Sequence, residues 1–260
     1  MQRPSTPHPL GEVPPIEVSR RVNSIADQVF RTLRSSIVTM RLTPGTALSE
    51  QEIAGRLNVS RQPVREAFIK LSESGLVRVL PQRGTFVVKI SAKAVTDARF
   101  VREAVECAIA RRASEGIPAG ALADLRAILS EQRVAAAAAD PEQFFVLDEA
   151  FHRGLAHAAD CTYAWKVIEE AKAQMDRVRF LSLPDATPMD HLVAQHAEVL
   201  DAVAAGKGAA ADAAMRAHLR EILKSLPRLA QAFPEMFEPG AAEEETEAAP
   251  PPARRKRTAR

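Results

Sequence analysis

From Ser91 to about residue 235 the sequence carries no strand signal, and this long strand-free stretch limits the fold more than any other feature. Ala-rich segments with apolar residues at helical spacing cover roughly 92–115, 119–139, 142–159, 162–182, 188–205 and 208–232. The breaks between them fall at Gly116–Pro118, Asp140-Pro141, Pro184–Pro188 and Gly206–Gly208. Helices without a sheet to cover must bury their apolar stripes on one another, and short connections favour antiparallel neighbours. The expected architecture over 91–235 is an all-α antiparallel bundle of six to seven helices.

The preceding segment, 20–90, reads differently. Ile25, Val29, Phe30, Leu33, Ile37 and Met40 recur at helical spacing before Pro44-Gly45 breaks the chain. Ser49 is placed to cap a second helix holding Ile53, Ala54 and Leu57, with Glu52 three residues on completing a capping box. After a turn at Asn58-Val59, Ser60 is placed to cap a third helix with Val64, Ala67, Phe68 and Leu71, which stops near Gly75. Leu76–Val79 and Thr85–Val88 are β-rich runs flanking Pro81-Gln82-Arg83-Gly84 and predict a hairpin. Three helices and a hairpin with a basic tip make a winged helix-turn-helix, so the whole chain is mainly α. The Pro-rich residues 1–19 and the charged residues 236–260 have no periodic apolar face and are expected to be disordered tails. The second ends in Arg254, Arg255, Lys256, Arg257 and Arg260, which suit either non-specific phosphate contacts or a simple solubilising role.

Charge divides the chain in the same place. Residues 20–90 hold twelve Lys/Arg against five Asp/Glu, although the net charge of the chain is only +2. A basic unit joined to an acidic one points to a polyanion as partner of the first unit alone. Two cysteines are too few for a disulfide framework or a cysteine zinc site, which suits a reducing compartment. No apolar run is long enough to span a bilayer and the N-terminus lacks a secretory pattern, so a cytoplasmic protein with no membrane partner is expected.

Within the third helix Arg61, Gln62, Arg65 and Lys70 lie outside the apolar stripe. The first three occupy the turns that a recognition helix puts into the major groove. Arg can bond guanine bidentately and Gln can pair with adenine, while Arg83-Gly84 at the hairpin tip can approach the minor groove. The run PGTALSEQEIAGRLNVSRQPVREAFIKLSESGLVRVLPQRGTFV resembles the DNA-binding domain of the GntR family of bacterial regulators. The matching elements are Pro44-Gly45, Leu48 and Glu50, Ser60 to Ala67, Gly75 to Val77, and Gly84 to Val87. The resemblance implies double-stranded operator DNA as partner. It makes Arg61 and Arg65 the main base and phosphate contacts, with Gln62 and Gly84 assisting and Arg34 of the first helix touching the DNA backbone.

Four polar residues of the helical segment sit where bundles normally place apolar ones. Asp148 and His152 share a face with Phe144, Phe151 and Leu155; His196 shares one with Leu192, Val199 and Val203; His218 shares one with Met215 and Ile222. Burying these groups unpaired costs several kcal/mol, which a divalent cation would remove. Asp148 and His152 at i, i+4 can reach one ion together. The segments LDEAFHRGLAHAA, QHAEVLDAV and MRAHLREI are similar to the FCD effector domain in the FadR branch of the same family, with Asp-x3-His on one helix and single His residues on two later ones. That resemblance implies a homodimer, a bound zinc, nickel or manganese ion, and a small organic acid effector beside the metal. Arg102, with Glu106 in RFVREAVECAIARRA, matches the family's Arg-x3-Glu; it suits either a carboxylate clamp or a surface ion pair. Arg177 and Arg179 offer further positive charge. Asp160-Cys161 stands where the family often has Gly-Asn, which puts any ligand contact made by that Asn in question.

Two functions follow. The first is a transcriptional regulator, a repressor on this reading, whose acid effector repositions two DNA-binding heads. The alternative is a metal-dependent enzyme domain fused to a DNA-binding module. Four protein ligands close a tetrahedral site, and no separate general base, nucleophile or phosphate loop is seen, so the chain is read as a regulator and not an enzyme.

Overall fold

Ser24 opens the first element. Its Oγ accepts a hydrogen bond from the Asp27 amide at 3.1 Å, starting α1 (Ile25–Val38), in the computed structural model, which describes residues 24–240. The tail expected at 1–19 lies outside the described residues, as does that at 236–260 beyond Gly240. Ser49 Oγ accepts from the Glu52 amide at 3.4 Å to start α2 (Glu50–Leu57). Asn58 then takes a left-handed conformation (φ 52°) and turns the chain towards α3 (Arg61–Glu73). Ser60 has extended backbone at the N-cap but makes no side-chain cap bond, so the expected cap is absent and the first turn of α3 stays open.

The hairpin forms as β2 (Val77–Leu80) against β3 (Gly84–Val87), antiparallel, with Leu80 opposite Gly84. Pro81 precedes Gln82, whose φ of 61° and the Arg83 amide bond to the Leu80 carbonyl (3.0 Å) give a type II turn. A third strand, β1 (Ala47–Leu48), pairs antiparallel with β3, so the sheet order is β1-β3-β2. Two residues are too few to show periodicity, so the sequence predicts the hairpin alone. Val29, Leu33, Ile37, Ile53, Val64, Phe68 and Leu71 bury one core beneath the three helices and the sheet.

The helical unit follows as α4 (Ala92–Ala113), α5 (Ala119–Ala137), α6 (Pro141–Ala158), α7 (Thr162–Ala171), α8 (Ala173–Ser182), α9 (Met189–Ala204), α10 (Gly208–Leu219) and α11 (Glu221–Ala232). Two segments read as single helices are each divided, at Lys172 and at Arg220. Neither break has a Gly or Pro to announce it, and both fall on a basic residue drawn to a buried carboxylate. Lys172 Nζ donates to Glu149 (2.8 Å) and Asp176 (2.7 Å), and Arg220 donates twice to Glu103 (2.9 and 2.7 Å). A second core, with Phe144, Phe151, Leu155, Trp165, Val199 and Met215, fills the bundle. A third cluster joins the units: Ile90, Val95, Met175, Val178, Ile222 and Phe237 pack together. Met236–Glu238, assigned to the tail from sequence, are stitched to Ile90, whose amide donates to Met236 (2.8 Å) and whose carbonyl accepts from Glu238 (2.9 Å). Among the described residues no helix is long and apolar enough to cross a membrane.

Candidate metal centre and nucleic-acid interface

The basic face of the N-terminal unit is built on α3. Arg61 and Arg65 are exposed, at 63% and 57% of the side chain, and both reach Glu50 at the start of α2. Arg65 Nε donates to Glu50 Oε1 and Arg61 Nη2 to Oε2, each at 3.2 Å. Gln62 Nε2 donates to Glu66 Oε1 at 3.0 Å, and Arg83 and Gly84 (φ 104°) are exposed at the hairpin tip. These five therefore lie on the surface, available to a polyanion. Two other cations are engaged in ion pairs across elements. Lys70 pairs with Asp27 and ties α3 to α1, and Arg34 Nη2 donates to the buried Asp176 of α8 at 2.7 Å. Arg34, expected on the DNA backbone, is thus part of the junction between the units.

In the bundle, α6 supplies Asp148 and His152, α9 supplies His196 and α10 supplies His218, and one donor atom from each lies within 4.8 Å of the others. All four are buried. His218 Nε2 is 3.1 Å from His152 Nε2 and 3.2 Å from His196 Nε2; Asp148 Oδ1 is 3.5 Å from His196 Nε2. The other ring nitrogens settle the tautomers. Gln132 Nε2 donates to the Leu147 carbonyl (3.1 Å), so its Oε1 faces His196 Nδ1 at 2.9 Å. Gln195 Nε2 is directed to Glu221 (3.3 Å), so its Oε1 faces His218 Nδ1 at 3.0 Å. Glu106 Oε2 lies 2.6 Å from His152 Nδ1. Each Nδ1 therefore carries the proton and each Nε2 presents a lone pair to the other two.

Three lone pairs and a carboxylate converging in a buried space repel one another unless a cation sits among them. Burial pushes the pKa values of His196 and His218 well below the ordinary histidine value, so both rings stay neutral, as ligands must be. The Nε2 spacings suit a small ion: zinc–nitrogen bonds of about 2.0–2.1 Å give tetrahedral edges of roughly 3.3 Å. The residues present thus fit a divalent metal. Carboxylate and amide partners behind each imidazole are the outer layer that orients metal-binding histidines. Sequence pattern does not assign Glu106, Gln132 or Gln195 to this role. Only Glu106 left a trace there, four residues after Arg102; the two glutamines have no local signal.

Beside this centre a narrow cavity of about 40 Å³ is lined by Arg102, Asp148, Arg179 and His218 and by apolar groups including Phe145 and Leu192. Arg102 is 1% exposed and bonds Glu106 through Nε at 2.5 Å, while its Nη2 has no partner. The surface ion pair considered from sequence is therefore a buried one. Burial opposes the Arg102 charge and Glu106 more than offsets it. Arg179 lies against Asp148 Oδ2 and donates to Asp176 Oδ1 at 2.8 Å. Burial and the nearby Arg102 disfavour its charge, which an anion in the cavity would relieve. Arg177 faces the other way, donating to the Val88 carbonyl at 2.9 Å, and lies outside this cavity. Asp160 adopts the left-handed conformation (φ 55°) that suits Gly or Asn, and is exposed.

A DNA-reading winged unit joined to a helical unit with a buried His/Asp centre defines a class of two-domain bacterial regulators. The family model for "Bacterial regulatory proteins, gntR family" matches residues 25–87, and that for the FCD domain matches residues 97–221. The HTH-type transcriptional repressor RspR of Escherichia coli (strain K12) is 44% identical over 213 residues, 82% of this chain and 93% of RspR. Among solved structures, E. coli McbR/YncC superposes with a TM-score of 0.70 at 20% identity, covering 82% of this chain and 100% of that one. A putative GntR transcriptional regulator from Rhodococcus sp. RHA1 does so with a TM-score of 0.65 at 27% identity, covering 78% and 98%. The chain belongs to the GntR family of bacterial regulatory proteins and carries an FCD domain. It is a DNA-binding transcriptional regulator, not an enzyme.

Proposed function

We propose that this protein represses transcription by binding operator DNA through Arg61, Gln62, Arg65 and the Arg83-Gly84 tip, and that a small carboxylate bound at a divalent metal controls that binding. Zinc, nickel or manganese would be held by Asp148, His152, His196 and His218. The bound ion would supply an anchor for the acid, and Arg102, through its unpartnered Nη2, would take a carboxylate oxygen. The observation that carries the reading is the convergence of three Nε2 lone pairs and Asp148 on one buried point beside that guanidinium. Repression is the activity named for RspR. A cytoplasmic homodimer is part of the proposal, since operators read by two-fold symmetric proteins carry two inverted half-sites.

The test is elemental analysis of gently purified protein, with melting followed on chelation. Metal that binds only the folded state at one hundred times its Kd stabilises by about 2.7 kcal/mol. Chelation should therefore lower the Tm, and His218→Ala should lower it to the same value and abolish the response to added metal. Protein without metal, and with a Tm indifferent to zinc, nickel and manganese, would reduce the four residues to a polar core network.

A further inference from the structure

Helix α8 is buried on most sides although it reads AQMDRVRFLS, and it lies between the two units. Ala173 packs into the core of the DNA-binding unit. Gln174 Nε2 donates to the Gly75 carbonyl (2.5 Å) and Arg177 Nη1 to the Val88 carbonyl (2.9 Å). At its centre Asp176 is fully buried and three cations meet on it. Arg34 Nη2 from α1 and Lys172 Nζ each donate to Oδ2 at 2.7 Å, and Arg179 Nη1 donates to Oδ1 at 2.8 Å. Arg34 belongs to the DNA-binding unit. Arg179 belongs to the cavity, because its other nitrogen lies against Asp148. Lys172 also holds Glu149, the residue next to Asp148, at 2.8 Å.

We propose that Asp176 is a positioning residue through which the state of the metal-and-acid cavity reaches the DNA-binding unit, by the sharing of its two oxygens among Arg179, Lys172 and Arg34. The proposal rests on the sensor reading above. A cation on Asp148 competes with Arg179 for that carboxylate, and an acid in the cavity attracts Arg179. Either event changes the hold of Arg179 on Asp176. Among groups buried as deeply as Asp176 and Lys172 the remaining charges must pair again, since a buried charge left alone is costly. Arg34 is the partner with room to move: its side chain is 22% exposed, against 1% for Lys172. Arg34 sits on α1, which packs along the recognition helix α3 and is tied to it by Asp27–Lys70. The chain of contacts from Asp148 to α3 is thus continuous, through elements that can take two pairings.

A rigid rivet between the units would look the same at rest, so the test reads coupling rather than stability. The full chain is titrated with operator DNA in the presence of zinc alone or of chelator. Zinc is expected to change the operator Kd by about 5- to 150-fold, DNA must change the zinc Kd by the same factor, and Asp176→Asn should shrink that factor to within about twofold while zinc still binds. Arg34→Gln should do the same independently. Any loss of basal operator affinity cancels in the ratio, and this variant alone carries the test if Asp176→Asn does not fold. A folded, zinc-binding variant that keeps the whole factor overturns the proposal. So does a parent protein that binds both zinc and operator with no effect of one on the other. Failure to bind zinc or operator at all would instead sink the function proposed above.

Discussion

Arg61 and Arg65 project one turn apart from the open N-terminal half of α3 and converge on one carboxylate, Glu50. Hydrogen bonding from Arg65 holds the Glu50 carboxyl below its ordinary range. This pairing pre-orders two exposed guanidinium groups in the absence of DNA, and a phosphate or guanine edge would compete with Glu50 for them. Arg65→Ala should weaken operator binding by about 1–3 kcal/mol per half-site, with helical content unchanged in circular dichroism. Unaltered affinity at fixed salt would mean that another surface enters the groove. Glu103 carries a different residue-scale prediction. Arg220 and Arg216 outweigh the opposing effect of burial and hold its pKa at about 2, against an ordinary 4.5. A carboxylate with a depressed folded pKa contributes stability above its unfolded pKa and loses it as pH falls towards the folded value. Stability should therefore decline between pH 4.5 and about 2, and urea midpoints of Glu103→Gln should show a flatter dependence over that window.

At the scale of elements, most of the architecture follows from local pattern. Hydrophobic spacing and the Gly and Pro breaks marked α4, α5, α6 and α9 to within a few residues. What local pattern lacked was the division at Lys172 and Arg220, because each break depends on a carboxylate more than twenty residues away or on another helix: Glu149 for one and Glu103 for the other. The placement of Phe237 has the same origin. Phe237 follows Pro234 and precedes a charged run, so nothing local gives it a helix or strand to join. It is nevertheless 2% exposed, buried against Ile90, Val95 and Met175. Phe237→Ala should cost about 3–5 kcal/mol, the usual range for a buried phenylalanine truncated to alanine, read as a lower denaturant midpoint. A cost near zero would return Met236–Glu238 to the tail.

At the scale of the whole molecule, the functional proposal requires two DNA-binding units acting together. Light scattering should give a dimer, free and on DNA, and footprinting should protect two inverted half-sites about one helical turn, or a multiple of it, apart. A monomer in both states would contradict the proposal. The sequence by itself determined the division into a winged basic unit and an all-helical one, the helix that carries Arg61, Gln62 and Arg65 on its exposed face, and a set of inward-facing Asp and His residues. These depend on periodicity, caps and breaks within a few residues, which are local and therefore written in order along the chain. The tertiary structure alone decided which polar groups meet. It placed Gln132 and Gln195 behind His196 and His218, turned Arg179 towards Asp148 and Arg177 away from it, and took Arg34 to Asp176 across 142 residues of sequence. Such pairings depend on how whole helices pack, and a long side chain at a given position is compatible with several partners until packing leaves one within reach.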